Sequence, residues 1–144
     1  MVVSVTNAQR EARVNTARIA SIARCAIRQL QIQASGKLAL TFLDSRRLRM
    51  LNKQFLRHDR TTDVLSFRYD GEPVVGEILI APRQAHAYAS VHGISYEEEL
   101  ARYVVHGLLH WLGHEDRTAS QQRKMRAMED QLLAHCCMEA SRTS

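Results

Sequence analysis

The sequence predicts an α+β fold, built from a small mixed sheet of about four strands packed with about five helices. Segments rich in strand-forming residues lie in the first half of the chain, whereas apolar residues at helical spacing dominate the second half. Strands grouped ahead of helices favour this fold class over a strict alternation of strands and helices. The 144 residues are 45% hydrophobic, so we expect residues 1–144 to form a single domain with its own core.

Four segments have the composition of strands, being rich in β-branched and other apolar residues. They are residues 2–5, 38–42, 62–67 and 75–80. Asp70 and Gly71 stand between the last two and are typical turn residues. The sequence therefore predicts that these two strands are joined by a tight turn.

The two helices of the first half are predicted from different signals. Apolar residues recur at helical spacing over residues 8–31, and Gly36 is placed to break this first helix. Asp44 is placed as the N-cap of a second helix, because a short acceptor side chain there satisfies a free backbone N–H group. The second helix continues through Leu48, Leu51 and Phe55.

Capping residues also divide the second half into three helices. Pro82 suits the first turn of a helix that runs to about residue 91, and Gly93 ends it. Ser95 and Glu98 form a capping box before the apolar helix of residues 100–112, for which Gly113 is a typical stop. Thr118 and Gln121 repeat the capping pattern and start the last helix.

Several classes of protein are disfavoured by composition. The N-terminus lacks the features of a signal peptide, and no segment approaches the roughly 20 apolar residues that cross a bilayer. We therefore expect a cytoplasmic protein without a membrane partner. Cys25, Cys136 and Cys137 are odd in number and have no C-x-x-C spacing, which predicts neither a disulfide framework nor a cysteine zinc site. Cys25 lies among apolar helix positions and is interpreted as a core residue.

Basic side chains are concentrated between residues 46 and 60, in a chain whose formal net charge is +5. They are Arg46, Arg47, Arg49, Lys53, Arg57 and Arg60, with Asp59 as the one acidic residue among them. Such a cluster attracts polyanions by neutralising phosphates. The alternative interpretation is a solvated helix face without a ligand.

The candidate metal ligands are concentrated in residues 106–116, which read HGLLHWLGHED. His106 and His110 are four residues apart, so on a helix their imidazoles lie one turn apart on the same face. Two such rings can reach one ion, and a catalytic zinc site needs a third protein ligand and an open position. Gly113 lets the chain turn back after the helix, which makes Asp116 and His114 the candidates for that ligand.

Two alternatives bear on this metal site. Histidines at this spacing can be ordinary polar residues of a helix, but here they are embedded in an apolar run, where unpaired imidazoles would need partners. The common zinc-peptidase motif H-E-x-x-H uses its Glu as a general base, and Gly107 occupies that position. A peptidase of that type is therefore disfavoured, and Gly107 is interpreted as permitting close backbone approach near the metal.

Three sequence blocks resemble the YbeY family of bacterial endoribonucleases. The histidine segment resembles the family signature H-G-x-L-H-L-x-G-[YH]-D-H. Residues 51–67, LNKQFLRHDRTTDVLSF, resemble L-N-x-x-[YF]-R-x-x-D-x-x-T-[DN]-V-L-S-F, and residues 76–80, GEILI, resemble G-[DE]-I-x-I. The blocks occur in the family's order and span most of residues 51–116.

The resemblance implies a zinc-dependent endoribonuclease that hydrolyses phosphodiester bonds in single-stranded RNA during ribosomal RNA maturation and ribosome quality control. It implies one zinc ion per chain, precursor ribosomal RNA as substrate and the small ribosomal subunit as partner, with no DNA expected. The candidate RNA-binding residues are then Arg46, Arg49, Lys53, Arg57 and Arg60.

The chain departs from the family pattern at two positions. Asp116 stands where the family usually has its third histidine ligand, and a carboxylate is also a workable zinc ligand. We prefer Asp116 as the third ligand, with His114 as the alternative at the family's variable position. Leu56 replaces the usual family arginine, and the adjacent Arg57 becomes the candidate catalytic arginine.

Two other functions are weighed against this hypothesis. One is a zinc hydrolase that acts on another class of substrate. The other is a non-catalytic, ribosome-associated module with a structural metal, which would be favoured by a closed site holding both His114 and Asp116.

Overall fold

The computed structural model describes residues 1–33, 35–56, 64–69 and 74–143. Within them, four strands and five helices follow one another in an order that places most strands first. They are β1 (Val2–Ala8), α1 (Thr16–Gln29), β2 (Gly36–Leu43), α2 (Ser45–Leu56), β3 (Val64–Tyr69), β4 (Val74–Ile80), α3 (Pro82–His92), α4 (Tyr96–Trp111) and α5 (Ala119–Thr143). The predicted α+β class and mixed sheet are confirmed.

The strands form one sheet in the order β1-β2-β4-β3. β1 pairs with β2 in parallel, β2 pairs with β4 in parallel, and β3 runs antiparallel to β4 at the sheet edge. Leu40 of β2 lies opposite Ile78 of β4, and Val64 of β3 lies opposite Ile80. The central strands β2 and β4 are largely apolar, as expected for strands covered on both faces.

Each face of the sheet has its own apolar cluster, because successive side chains of a strand point to opposite faces. Ile78 and Ile80 pack with buried residues of α1, α4 and α5 in the larger cluster. Leu79, between them, packs instead with Leu48 of α2 in the smaller cluster. The sheet thus separates α2 from α4, the helix that carries the histidine pair.

The predicted helix caps are confirmed where they are described. Asp44 accepts a hydrogen bond from the N–H of Arg47, and Ser95 accepts one from the N–H of Glu98. The side chains of Thr118 and Gln121 cap each other's backbone N–H groups in both directions. Pro82 stands in the first turn of α3, and Gly93 ends that helix with a φ of 63°.

The predicted first helix is wrong at its N-terminal end. Ala8 belongs to β1, where it pairs with Leu43, and α1 begins only at Thr16, after Asn15 accepts a hydrogen bond from the N–H of Arg18. Helical spacing of residues 8–15 could not reveal this competing pairing with a distant strand. The helix also ends at Gln29, well before Gly36, which is the first residue of β2.

Other boundaries differ less. β1 extends three residues beyond the predicted segment, and α4 begins at Tyr96, directly after its N-cap. The predicted turn at Asp70 and Gly71, and the first two residues of the predicted strand 62–67, lie outside the described residues. No helix in the described part of the chain is long and apolar enough to cross a membrane.

Candidate metal centre

The C-terminal end of α4 is closed by a Schellman motif centred on Gly113. The N–H of Gly113 donates to the carbonyl of His110, and the N–H of His114 donates to the carbonyl of Leu109. Gly113 has a φ of 101°, a conformation that side chains disfavour. This motif turns the chain sharply and brings Asp116 back towards the helix, as the sequence predicted.

Three side chains converge where the chain turns back. The Nε2 atom of His106 lies 3.5 Å from Oδ2 of Asp116, and Nε2 of His110 lies 3.3 Å from Oδ1. The two imidazole centroids are 4.5 Å apart. One donor atom from each residue lies within 4.8 Å of the other two, and each side chain is partly exposed. The group is therefore open to an ion and to a small ligand.

These separations suit a zinc-like ion. Zinc binds imidazole nitrogen and carboxylate oxygen at about 2.0–2.2 Å, so tetrahedral coordination separates two such donors by about 3.3–3.5 Å. The distances from His110 Nε2 to Oδ1 of Asp116, 3.3 Å, and from His106 Nε2 to Oδ2, 3.5 Å, lie in this range, each to a different carboxylate oxygen. Two neutral imidazoles and one carboxylate are also a donor set that catalytic zinc sites use.

His114 occupies a different place. It follows Gly113 directly, and its backbone completes the helix cap. Among the described residues, the group of potential ligands contains Asp116 and not His114. The structure thus brings together the preferred trio of the sequence analysis rather than its alternative.

A buried carboxylate supports the first histidine. Oε2 of Glu129 lies 2.6 Å from Nδ1 of His106, and Oε1 accepts a hydrogen bond of 2.9 Å from Arg102. Arg102 also donates to Asp130, at 2.7 Å. Glu129 is only 4% exposed, so its charge depends on these two partners. With Nδ1 directed at Glu129, the Nε2 atom of His106 is left to face Asp116.

The electrostatics of this network favour an ionised Glu129. Burial by itself would raise the pKa of the Glu129 carboxyl group. The hydrogen bonds from His106 and Arg102 outweigh burial, so the pKa is lowered from its usual value. Burial would likewise lower the pKa of Arg102, but its hydrogen bonds to Asp130 and Glu129 raise it. The result is an ion pair between Arg102 and Glu129 that keeps the Glu129 carboxylate beside Nδ1 of His106.

The sequence analysis did not identify Glu129 or Arg102. The available signal was a periodic one: Glu129 falls at an inward position of α5, in a stripe with Met125, Leu132 and Cys136, all buried. An acidic residue in an apolar stripe needs a partner inside the protein. That pattern identifies a buried carboxylate but does not reveal that its partner is His106.

Gly107 allows α4 to lie close to the sheet. A Cβ atom at this position would lie 2.7 Å from Ile78 and 2.8 Å from Val64, both closer than atoms can pack. The carbonyl of Gly107 also accepts a hydrogen bond of 2.7 Å from the hydroxyl of Ser66. The expected close approach at Gly107 is therefore to β3 and β4. It fixes α4 against the sheet at a point that lies between His106 and His110 along the helix.

Gly76 plays a similar part at the end of α4. A Cβ atom on Gly76 would overlap the indole of Trp111, which is buried against β4. The guanidinium carbon of Arg68, the cross-strand partner of Gly76, lies 5.0 Å from the centroid of this ring. Trp111 follows His110 directly, so this packing holds the second histidine in place.

The predicted RNA-binding residues are partly described. Arg46, Arg49 and Lys53 are exposed on α2, spaced at three and four residues so that they share one helix face. Arg57, the candidate catalytic residue, and Arg60 lie outside the described residues. The chain re-enters the described structure at Val64, which lies against Gly107 of α4. The edge strand β3 thus lies beside α4, the helix that carries His106 and His110.

Comparison with known proteins assigns the family. A family model described as Endoribonuclease YbeY matches residues 4–137, nearly the whole chain. This chain belongs to the YbeY family. The resemblance noted in the sequence is therefore confirmed, and it extends well beyond the three blocks that suggested it.

Curated relatives in the YbeY family are moderately similar. The chain is 40% identical over 106 residues to "Endoribonuclease YbeY" of Salinibacter ruber, covering 67% of this chain and 68% of the relative. It is 35% identical over 102 residues to that of Flavobacterium psychrophilum, covering 70% and 73%. The protein of the same description from Myxococcus xanthus is 37% identical over 119 residues, which are 77% of this chain but only 40% of that relative.

A solved structure has the same fold as this chain. A protein from Thermotoga maritima, determined in solution, superposes with a TM-score of 0.67. The match covers 99% of this chain and 93% of the other, at 21% sequence identity. At this identity the comparison shows a shared fold.

Proposed function

We propose that residues 1–144 act as a single metal-dependent hydrolase domain, an endoribonuclease that hydrolyses phosphodiester bonds in single-stranded RNA. Its proposed role is in ribosomal RNA maturation and ribosome quality control. The observation that carries this proposal is the partly exposed convergence of His106, His110 and Asp116 in a YbeY-family chain. An RNA substrate and a small-ribosomal-subunit partner, as the family resemblance implies, would place its work in the cytoplasm.

The proposed cofactor is one zinc ion per chain, held by Nε2 of His106, Nε2 of His110 and the carboxylate of Asp116. The chemistry that zinc supplies when bound is Lewis-acid catalysis at a phosphoryl oxygen and a lower pKa for water. His106 receives its orientation from Glu129, which keeps Nε2 directed at the site. The Schellman motif at Gly113 positions the Asp116 side chain against both rings.

The proposed RNA path uses the basic face of α2. Arg46, Arg49 and Lys53 would bind backbone phosphates there, and Arg57 would act nearer the reacting phosphate. α2 and α4 lie on opposite faces of the sheet, with β3 as the edge strand beside α4. We propose that a single strand of RNA passes around the β3 edge, because that route joins the basic face to the histidine pair.

The two alternative functions gain no support from the site. A structural metal would favour a closed set of four protein ligands, but the described residues group three around this point. The other alternative is a zinc hydrolase that acts on another class of substrate. Its commonest peptidase form, H-E-x-x-H, would require an acid where Gly107 stands.

The test combines metal analysis with cleavage of a single-stranded RNA. We expect the purified protein to hold one zinc per chain at this centre and to cleave the RNA, but not a DNA strand of the same sequence. The His106→Ala/His110→Ala variant should hold one zinc per chain fewer than the wild type and should lose cleavage. The matched control is His86→Ala, because the wild-type His86 ring packs against Tyr96 and is not one of the three proposed ligands. This variant should keep both the metal and the cleavage activity. The same zinc content in the double variant as in the wild type would reject the site, and cleavage without metal would reject the mechanism.

A further inference from the structure

A second group of potential metal ligands lies between α1 and α5. It consists of the thiol of Cys25, the imidazole of His135 and the carboxylate of Glu139. None of these residues belongs to the first group. We propose that Cys25, His135 and Glu139 form a second site that binds a zinc-like transition metal ion.

The three donor atoms already converge on one point. Sγ of Cys25 lies 3.2 Å from Oε2 of Glu139, and Nε2 of His135 lies 3.6 Å from the same oxygen. Tetrahedral zinc would separate sulfur from oxygen by about 3.5 Å and nitrogen from oxygen by about 3.3 Å. The sulfur-to-oxygen and nitrogen-to-oxygen distances are thus within a few tenths of an ångström of these values, and the sulfur and nitrogen atoms lie within 4.8 Å of each other.

All three of these donor residues lie on helices, and none lies on a loop. His135 and Glu139 are four residues apart on α5, so their side chains share one face, one turn apart. Cys25 comes from α1, which packs against α5, and is fully buried. Donors fixed on two packed helices lose little conformational freedom when an ion binds.

The site is reached from solvent on the α5 side. The side chain of His135 is 55% exposed and that of Glu139 is 36% exposed, whereas Cys25 forms the closed end. Arg28 forms an ion pair with Oε1 of Glu139, which leaves Oε2 directed at Cys25 and His135. An ion can therefore enter without unfolding either helix.

The charge balance suits a divalent cation. Without metal, the Cys25 thiol donates a hydrogen bond of 3.2 Å to Oε2 of Glu139. A divalent ion would replace that proton and neutralise one thiolate and one carboxylate. The buried charge that remains is zero, with the Arg28 cation at the exposed side.

The donor set selects the class of metal. A thiolate with an imidazole favours zinc, copper(I) and similar ions over magnesium or calcium, which prefer oxygen ligands. The buried thiol of Cys136 also interacts with that of Cys25, so a second sulfur lies close to the site. Three ligands with a neighbouring thiol are typical of a site for a soft or borderline ion.

The test uses the sulfur ligand of Cys25 to distinguish the second site from the first, because the first centre offers only nitrogen and oxygen donors. The protein is titrated with Cd²⁺ under a phosphine reductant, and ultraviolet absorption is followed for the thiolate-to-cadmium charge-transfer band. We expect a band that saturates at one ion per chain, both in the wild type and in His106→Ala/His110→Ala. Cys25→Ser should abolish it, whereas Cys137→Ser should retain it.

Two surface variants keep the test independent of core folding. Removing a hydrogen-bond partner of a metal ligand typically costs about ten- to a hundredfold in affinity, so loss of a direct ligand should cost about tenfold or more. His135→Ala and Glu139→Gln are each expected to weaken cadmium binding by at least that factor, and His92→Ala should leave it unchanged. A wild type without the band would mean that the three residues only hydrogen-bond, and would overturn the proposal. A band that survives in Cys25→Ser but disappears in Cys136→Ser or Cys137→Ser would also overturn it.

Discussion

The Nδ1 atom of His106 lies 2.6 Å from Oε2 of Glu129, although 23 residues separate them along the chain. The hydrogen bonds from His106 and Arg102 lower the pKa of the Glu129 carboxyl group, so Glu129 is the acceptor in this contact and Nδ1 of His106 is the donor. Nε2 is the atom that faces Asp116. A buried carboxylate on α5 thus sets the tautomer and the orientation of an imidazole on α4. Carboxylate–histidine pairs of this kind make the ring a stronger metal ligand.

Glu129→Gln is therefore expected to weaken metal binding at the first centre. The neutral amide is a poorer acceptor for Nδ1–H, and we expect a loss of about ten- to a hundredfold in zinc affinity. The measurement is chelator competition, with the unfolding temperature of the metal-free protein recorded beside it. Asp130→Asn is the matched control, because Asp130 is the other acceptor of Arg102 and is not bonded to His106 in this network.

A purely structural role for Glu129 gives a different pattern. In that case Glu129→Gln would lower the unfolding temperature of the metal-free protein but leave zinc affinity within about twofold of wild type. Equal losses of affinity in Glu129→Gln and Asp130→Asn would likewise contradict a specific action through His106.

Asp116→Ala should lose metal affinity and RNA cleavage together, whereas His114→Ala should lose less of both. The reason is that Asp116 oxygens lie 3.3 and 3.5 Å from the two imidazole nitrogens, while the backbone of His114 is engaged in the helix cap. Asp116→His restores the family's usual ligand type and should bind zinc at least as well as wild type. Chelator competition on the single variants separates the two models, and a larger loss in His114→Ala would reverse the assignment.

Replacing Arg46, Arg49 and Lys53 with Gln should weaken RNA binding and flatten its salt dependence. Each phosphate contact that is lost removes about 0.7 from the slope of log affinity against log salt for a single strand. The control is Arg10→Gln/Arg13→Gln/Arg24→Gln, which removes the same charge from exposed positions outside α2. If both triple variants change the slope equally, net charge alone explains the binding. An unchanged slope in the first variant would mean that α2 is a solvated face.

Gly107→Ala should destabilise the protein although alanine is the better helix former. Helix propensity favours alanine by about 1 kcal/mol, but crowding in a packed core costs about 1–3 kcal/mol. The Cβ atom would meet methyl groups of Ile78 and Val64, whose β-branched side chains have little rotamer freedom. Denaturant unfolding should therefore show a lower free energy of unfolding.

The double variant Gly107→Ala/Val64→Ala identifies the cause. Removing the valine methyl groups makes room for the new Cβ, so the double variant should lose less stability than the sum of the single variants. Additive losses, or a gain in stability from Gly107→Ala alone, would contradict the close approach of α4 to the sheet.

Features that depend on neighbours within one helical turn were predicted well. The spacing of His106 and His110, the Gly113 stop and the caps at Asp44, Ser95 and Thr118 all rest on backbone geometry over three or four residues. The first helix was misjudged because its end residues have alternatives farther away. Ala8 pairs with Leu43 in the sheet, and helical spacing carries no information about that contact.

The chain's own pattern was sufficient to predict the fold class, the basic stretch and the convergence of His106, His110 and Asp116, since periodicity, charge and a glycine turn act locally. Tertiary packing added what local pattern cannot contain. It placed Glu129 behind His106, and it brought Cys25 of α1 to His135 and Glu139 of α5. Contacts across such separations arise from how helices pack on the sheet, because the burial of many apolar side chains at once selects which distant polar groups meet.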